Sequence, residues 1–408
     1  VRIVLNGSYQ SYLKQGFVLE NEQEIMGFGQ TLSEQYASFL QYDKLWSISQ
    51  GEEITVAVID SGVTAIATAF SERVLPGYDF VNNQPGGIDE SGHGTAVASL
   101  IAGEGRIKGV APAAQILPLK VLDRHDQGSS LSLIRALYYA ANLLPDLENP
   151  YKVDLVNISL GMGDYSPGVH EAIKKLNELG IAVVAAAGNS PGELAFPASL
   201  DEVLAVGAAD LRDDGWTLSA YSGFGNGLDV LVPMSIALQD ERGFKHIELE
   251  ALGHSADAAL VTGTSFAAPQ VTGVLALLLA KGQNAETAVK TIKLASSDLF
   301  SPGYDAQSGY GLFDPWASMR AVTFTDIGFK GDFAVQVLDA ESLQELRFTR
   351  AGLETFIALD AGQYLLKVWT DKNQDGLWNE ASEGLAESLY SRVTDVELGK
   401  TTFINVSF

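Results

Sequence analysis

Short runs of consecutive apolar residues, many of them β-branched, recur at 54–59 (interrupted by Thr55), 116–122, 153–160, 181–187 and 203–206. Runs without a polar alternate predict strands buried on both faces of a parallel sheet. Between them, helically spaced segments predict helices over 95–102, 130–144, 168–179, 265–281 and 285–295. Strands alternating with helices imply right-handed crossovers and a mainly parallel sheet covered on both faces, an α/β fold. After Trp316 the pattern changes. Segments 333–338 and 363–369 alternate or run apolar with turns between them, and 401–408 alternates polar with apolar residues. This predicts a small all-β sandwich over 323–408, following an α/β domain over 34–322. Residues 1–33 are only weakly patterned and are read as an N-terminal extension or a propeptide remnant.

Three punctuated sites carry candidate chemistry. Asp60 ends the first apolar run and is followed by Ser61-Gly62, so it is expected at the carboxyl end of a strand, where open α/β sheets place ligands. His93 stands between glycines in Gly92-His93-Gly94-Thr95, ahead of a helix of small residues. Ser265 lies in Gly263-Thr264-Ser265-Phe266-Ala267-Ala268-Pro269, ahead of the apolar run 271–280. A hydroxyl in the first turn of a helix is poised for nucleophilic chemistry, the dipole favouring negative charge nearby. Singly, each has a plain alternative: a capping carboxylate, a hydrogen-bonded histidine, an N-cap serine. Their co-occurrence in order argues against coincidence. His125, His170, His246 and His254 have no comparable setting and are read as structural.

Asp, His, Ser is the chain order of the subtilisin triad, and over 34–321 the chain resembles the subtilisin-type serine peptidases. The blocks Gly109-Val110-Ala111-Pro112, Lys120-Val121-Leu122-Asp123, Asn157-Ile158-Ser159-Leu160-Gly161 and Ala186-Ala187-Gly188-Asn189 share in the resemblance. It implies a subtilisin-like sheet and a secreted serine endopeptidase. His93 would be general base and acid, Asp60 its orienting partner, Ser265 the nucleophile and Asn189 the oxyanion donor. It also implies that Gln127, Gly128, Ser129 and Ser159, Leu160, Gly161 are edges pairing with an extended peptide. The P1 pocket would be walled by Ser159, Leu160, Gly161 and Ala186, Ala187, Gly188, with Ala195 near its floor. None of these is charged, which points to apolar P1 residues. Ser130 stands where the family often has a bulky S4 rim residue, implying a more open pocket.

Composition narrows the partners. The chain has 408 residues, 46% of them hydrophobic, with no cysteine and a formal net charge of −25. That charge opposes binding to nucleic acid or anionic membranes, and no apolar run reaches the ~18 residues needed to span a bilayer. Protein or peptide substrates, a monomeric state and an extracellular location are the expectation. No cofactor is expected for catalysis. With no signal peptide at Val1, the numbering is expected to begin after one.

Two departures from the family pattern stand out. The short 103–108 segment leaves no room for the calcium loop many subtilisins carry there. Residues 234–262 form a longer approach to Ser265 and predict an added hairpin or surface loop. In the C-terminal region, Asp371-Lys372-Asn373-Gln374-Asp375-Gly376 places oxygen-bearing side chains at alternate positions before a turn glycine. That suits the start of a calcium loop, with Asp371, Asn373, Asp375, the Leu377 carbonyl and a carboxylate from Glu380 or Glu383 as ligands. Position twelve is Ser382, which breaks the EF-hand pattern, and an Asx-rich hairpin turn is the competing reading. A noncatalytic binding protein on the same fold, and a Ser-Glu-Asp peptidase, are the functional alternatives. The intact Asp60, His93, Ser265 and Asn189 disfavour the first, and the Gly92-His93-Gly94-Thr95 block the second.

Overall fold

A computed structural model describes residues 37, 40–70, 72–212, 215–240, 243–252, 258–300, 304–326, 333–339, 345–351, 354–358, 362–370, 390–396 and 402–406. Two compact units divide the chain at Trp316/Ala317. In the first, the elements run α1 (Tyr42–Trp46), β1 (Thr55–Asp60), α2 (Ala67–Phe70), β2 (Tyr78–Asp79), β3 (Gln84–Pro85), α3 (His93–Ala102), β4 (Gln115–Lys120), α4 (Ser130–Ala140), β5 (Leu155–Ile158) and α5 (Pro167–Glu178). They continue with β6 (Ala182–Ala186), β7 (Leu204–Arg212), β8 (Gly215–Leu218), β9 (Val230–Asp240), β10 (Gly243–Glu248), β11 (Glu250–Leu252), β12 (Ala258–Leu260), α6 (Ala268–Ala280) and α7 (Ala285–Ala295).

Among the described residues, ten strands form one sheet in the order β10-β9-β7-β6-β5-β1-β4-β2-β3, with β8 on β7. The run from β9 to β2 is parallel throughout, and β3, β8 and β10 pair antiparallel. The apolar runs explain this arrangement. Every residue of β1, β5 and β6 is buried, as strands covered by helices on both faces must be. From β1 the chain builds outward through β4, then crosses to the opposite side to lay down β5. This reversal leaves a crevice beyond the carboxyl ends of β1, β4 and β5, where doubly wound sheets bind ligands.

The helices differ in character with their position. In α6, the stretch 268–278 is wholly buried, as expected for a helix that is apolar all round. α5 is amphipathic, burying Val169, Ala172, Ile173 and Leu176. Ser129 caps α4 by accepting from the Ser132 amide, and Asn284 caps α7 in the same way through Thr287. Ser265 itself lies in a 3-10 turn, Thr264–Phe266, ahead of α6. The helical pattern therefore overran the true start of the helix. Pro269 explains the offset: it has no N–H to bond the Ser265 carbonyl, which accepts from Ser159 Oγ instead.

The approach to Ser265 contains two hairpins. β9 pairs with β10, and β11 with β12. The first forms one end of the large sheet. In the second unit, the described residues form seven strands in two sheets. One has three strands, β16 (Glu354–Ala358)-β13 (Ala321–Asp326)-β19 (Thr402–Val406). The other has four, β15 (Glu345–Ala351)-β14 (Phe333–Asp339)-β17 (Gly362–Thr370)-β18 (Tyr390–Val396). The calcium-loop candidates Asp371, Asn373, Asp375, Leu377, Glu380 and Glu383 lie outside the described residues, as do residues 1–33. Among the described residues, no helix is long and apolar enough to cross a membrane.

α6 sits where its neighbours leave no slack. A Cβ on Gly273 would stand 2.5 Å from Val110 Cβ, and Val110 is buried and β-branched, so it is stiff at χ1. Helix propensity alone would favour alanine at Gly273 by about 1 kcal/mol. The clash outweighs that gain, and Gly273→Ala is expected to lose ~1–3 kcal/mol in urea denaturation.

Candidate active site

β1 delivers Asp60 to the crevice with no exposure to solvent. Its Oδ1 lies 2.7 Å from His93 Nδ1 and accepts from the Ser61 amide at 2.7 Å. His93 opens α3, and the glycine after it is indispensable. A Cβ on Gly94 would fall 2.1 Å from the Gly62 carbonyl oxygen and 3.1 Å from Asp60 Cβ. Any side chain there forces α3 away from β1, so the flanking glycine sets the approach of imidazole to carboxylate.

The first turn of α3 shows how the loop before it is organised. Gly92 precedes the helix at φ 97° with no side chain to cap it. The leading helical N–H groups, which have no intrahelical acceptor, are taken up from elsewhere. His93 N donates to Ser91 Oγ at 3.1 Å, Gly94 N to Ser61 Oγ at 2.9 Å, and Thr95 N to Asp89 Oδ2 at 2.8 Å. Lys120, the register partner of Asp60 on β4, is also buried. Its ammonium donates to the carbonyls of Ser61 and Leu122, each at 2.8 Å, and lies 3.5 Å from the Glu90 carboxylate. None of Ser61, Asp89 or Lys120 stood out as a site residue in the sequence. The available signal was an aspartate just ahead of a glycine-begun helix, a capping pattern.

The Ser265 turn packs on the same spot. Phe266 stacks obliquely on the imidazole, ring centroids 5.2 Å apart. Ser159 Oγ donates to the Ser265 carbonyl at 2.7 Å and accepts from Asn157 Nδ2, while Asn157 Oδ1 accepts from Thr272 Oγ1 in α6. The Ser159 side chain is thus committed to holding the turn, leaving its backbone to face a ligand. Asn189 follows β6, and its Oδ1 accepts from Thr264 N at 3.0 Å and from Thr264 Oγ1 at 3.1 Å. With the carbonyl so engaged, the Nδ2 amide is the donor left to serve the space beside Ser265.

A cleft of about 490 Å³ runs from His93 between the segments that follow β4 and β5. Gln127, Gly128, Ser129 and Ser130 line one wall, and Ser159, Leu160, Gly161 and Met162 the other. Val121, Leu122 and Leu133 add apolar surface, and Asp126 adds a carboxylate, none of them a site candidate from the sequence. Ala186, Ala187, Gly188 and Ala195 do not line this cleft. Ala186 and Ala187 are buried in the sheet. Ala195 sits between Gly161 and Gly188, where a Cβ on either glycine would come within 2.9 or 2.7 Å of its own. Gly161 and Gly188 therefore both close on the Ala195 methyl group.

Electrostatics favour a charged imidazole. Burial opposes the imidazolium, but the Asp60 carboxylate, through charge and hydrogen bond, prevails. Asp126 and Asp89 add to it, and His93 is held above the ordinary histidine value. A raised value keeps the ring protonated to higher pH, so any reaction needing neutral His93 has its acid limb above that of a free histidine. Asp126→Asn removes one of the raising charges. The acid limb of kcat/KM is then expected to move to lower pH, most clearly at low ionic strength, as a pH–rate profile reads directly. Chemically, a buried carboxylate holding Nδ1 leaves Nε2 free to exchange a proton with a hydroxyl, beside a fixed amide donor.

Comparison with known proteins agrees with this geometry. The Subtilase family profile matches residues 51–311. The chain is 33% identical over 248 residues to a thermophilic serine proteinase of Bacillus sp. strain AK1, covering 59% of this chain and 56% of that protein. It is 29% identical over 296 residues to thermitase of Thermoactinomyces vulgaris, covering 71% of this chain and 94% of thermitase. The chain thus spans little more than half of one relative and nearly all of the other. The crystal structure of a cold-adapted subtilisin-like serine proteinase superposes with a TM-score of 0.53 at 26% identity, covering 65% of this chain and 90% of that one. With a profile match across most of the α/β unit, this chain belongs to the Subtilase family.

Proposed function

We propose that the chain is a serine endopeptidase that cleaves peptide bonds in protein substrates through Asp60, His93 and Ser265. The observation that carries this reading is the 2.7 Å contact between a fully buried Asp60 carboxylate and His93, at the head of a cleft and against the Ser265 turn. A serine hydroxyl is a weak nucleophile at neutral pH and needs an adjacent base. His93 Nε2 takes the Ser265 proton as Oγ bonds to the scissile carbonyl carbon, and Asp60 stabilises the resulting imidazolium. Asn189 Nδ2 and the Ser265 N–H donate to the oxyanion. Collapse breaks the C–N bond as His93 passes its proton to the departing amine. Water then releases the acyl group by the same steps, with His93 again as base and Ser265 as leaving group.

The substrate lies extended between the segments at 127–130 and 159–161, pairing through its backbone as an added strand. Its P1 side chain is received between 159–161 and 186–188, with Ala195 at the floor; none of these residues is charged, and apolar residues are preferred there. Ser265→Ala is expected to abolish cleavage of a mixed peptide library while the circular dichroism spectrum is kept. Cleavage sites read by mass spectrometry should fall after apolar residues. Cleavage mainly after Lys or Arg would overturn the pocket reading, and no cleavage by the folded wild type would overturn the enzyme. Removing the side-chain oxyanion donor of a subtilisin slows turnover ~10²–10³-fold, and Asn189→Ala should fall in the same range.

We also propose a structural calcium ion at Asp371, Asn373, Asp375, the Leu377 carbonyl and Glu383, on the strength of their spacing alone. Calcium should then raise the melting temperature of the wild type but not of Asp375→Ala. An equal response in both would remove the site.

A further inference from the structure

We propose that Asp89 is the positioning residue that sets the separation of Asp60 and His93, one carboxylate fixing both the strand that carries the first and the helix that carries the second. The inference rests on reading Asp60, His93 and Ser265 as a hydrolytic triad. Asp89 is 2% exposed and accepts five hydrogen bonds. Oδ1 takes Ser61 Oγ at 2.8 Å, Ser91 N at 3.0 Å and Gly92 N at 2.9 Å. Oδ2 takes Thr95 N at 2.8 Å and Thr95 Oγ1 at 2.7 Å.

An ordinary helix cap would satisfy the amides of its own helix and stop there. Asp89 also grips Ser61, which belongs to the end of β1. Ser61 in turn donates its amide to Asp60 Oδ1, the same oxygen that meets His93 Nδ1. Its hydroxyl oxygen accepts from Gly94 N, one residue beyond the imidazole. The hydrogen bonds close a ring: Asp60, Ser61, Asp89, the first turn of α3, His93 and back to Asp60. Gly94, with no Cβ, lets that ring draw tight against Gly62 and Asp60. Thr95 extends it by accepting from Thr64 N at 3.0 Å while donating to Asp89.

The chemistry requires a carboxylate. Both oxygens of Asp89 receive donors from opposite sides, so a carboxamide in its place would turn an NH₂ toward one set or the other. Burial pushes the Asp89 carboxyl up, but the hydrogen bonds from Thr95, Gly92 and Ser61 outweigh it and hold the group below the usual aspartate value. The anion therefore persists wherever His93 works as a base. The stability it contributes is present above the ordinary carboxylate value and is lost as pH falls through the depressed one. Its negative charge also helps raise His93.

The test uses the full chain and two variants, Asp89→Asn and Ser61→Ala, on a peptide substrate across pH. Ser61→Ala cuts the link to β1 and leaves Asp89 with its cap to α3, so it serves even if Asp89→Asn does not fold. A misplacement on the ångström scale is expected to lower kcat about 10²-fold in Asp89→Asn. In Ser61→Ala the fall should be about 10-fold, and KM should stay within about twofold in both. The acid limb should move to lower pH in Asp89→Asn, which has lost a charge, and stay in place in Ser61→Ala, which has not. Unchanged kcat in a folded variant, or a fall only in melting temperature, overturns the proposal.

A second readout separates this inference from the reading beneath it. In a Ser265→Ala background, the proton shared by His93 Nδ1 and Asp60 should give a low-field NMR signal. That signal should be kept in the parent, and lost or shifted upfield in Asp89→Asn and Ser61→Ala. If the wild type hydrolyses nothing but the signal behaves so, the hydrolytic reading falls and the positioning role stands. If the signal is the same in all three, the positioning role falls whatever the activity.

Discussion

Full burial of the Asp60 carboxylate is the constraint to which the neighbouring structure answers. A carboxylate withdrawn from water must find donors and compensating charge inside the protein. Ser61 N and His93 Nδ1 supply the contacts at Oδ1. The positive end of α3 faces the same place, and the equally buried Lys120 sits beside it in register on β4. Lys120 is solvated in its turn by the carbonyls of Ser61 and Leu122. The second of these begins the 122–128 hairpin, whose Leu122–Gly128 bridge shapes one wall of the cleft. The group that orients the imidazole and the wall that receives a ligand are thereby joined through one ammonium.

The sheet makes such burial possible. Because the chain reverses direction around β1, three strand ends open on one crevice, and residues far apart in sequence meet there without long excursions. The Ser265 turn arrives from another direction, carried by a helix apolar on every side, and is fastened to β5 through Ser159 and Asn157. Asn189 and Thr264 fasten it to the end of β6. Asp60 ends a strand and His93 opens a helix, while hydrogen bonds to Ser159 and to Asn189 fix the turn that carries Ser265.

Much of this was legible in the residues because burial on both faces leaves an uninterrupted apolar signature. The runs at 54–59 and 181–187 became β1 and β6 with ends shifted by one residue, and α7 kept its bounds of 285–295. Asp60, His93, Ser265 and Asn189 were legible because each stands at a break that a glycine or a small residue announces. Asp89 was not. Its role comes from hydrogen bonds to Ser61 and Thr95, a convergence that exists only once β1 and α3 have docked. Asp126 escaped for a similar reason: only the folding back of 122–128 brings its charge to the cleft. The start of α6 was misjudged because periodicity registers apolar spacing, while the N–H that Pro269 lacks leaves no periodic trace.

The tie between α1 and α6 has a consequence for how the molecule comes into being. Tyr42 donates to Gln270 at 2.8 Å across 228 residues of chain, and the Leu252 amide reaches Ser99 across 153. Such contacts cannot form early, since loop-closure entropy must be overcome before they return anything. During synthesis Asp60 and His93 emerge long before the turn that carries Ser265, and β1 must wait for β4 and β5 before both its edges are paired. The Ser265 turn therefore joins the imidazole only when the α/β core is nearly whole. A half-made chain lacks the assembled site, and the meeting of the Ser265 turn with His93 marks a core that is nearly complete.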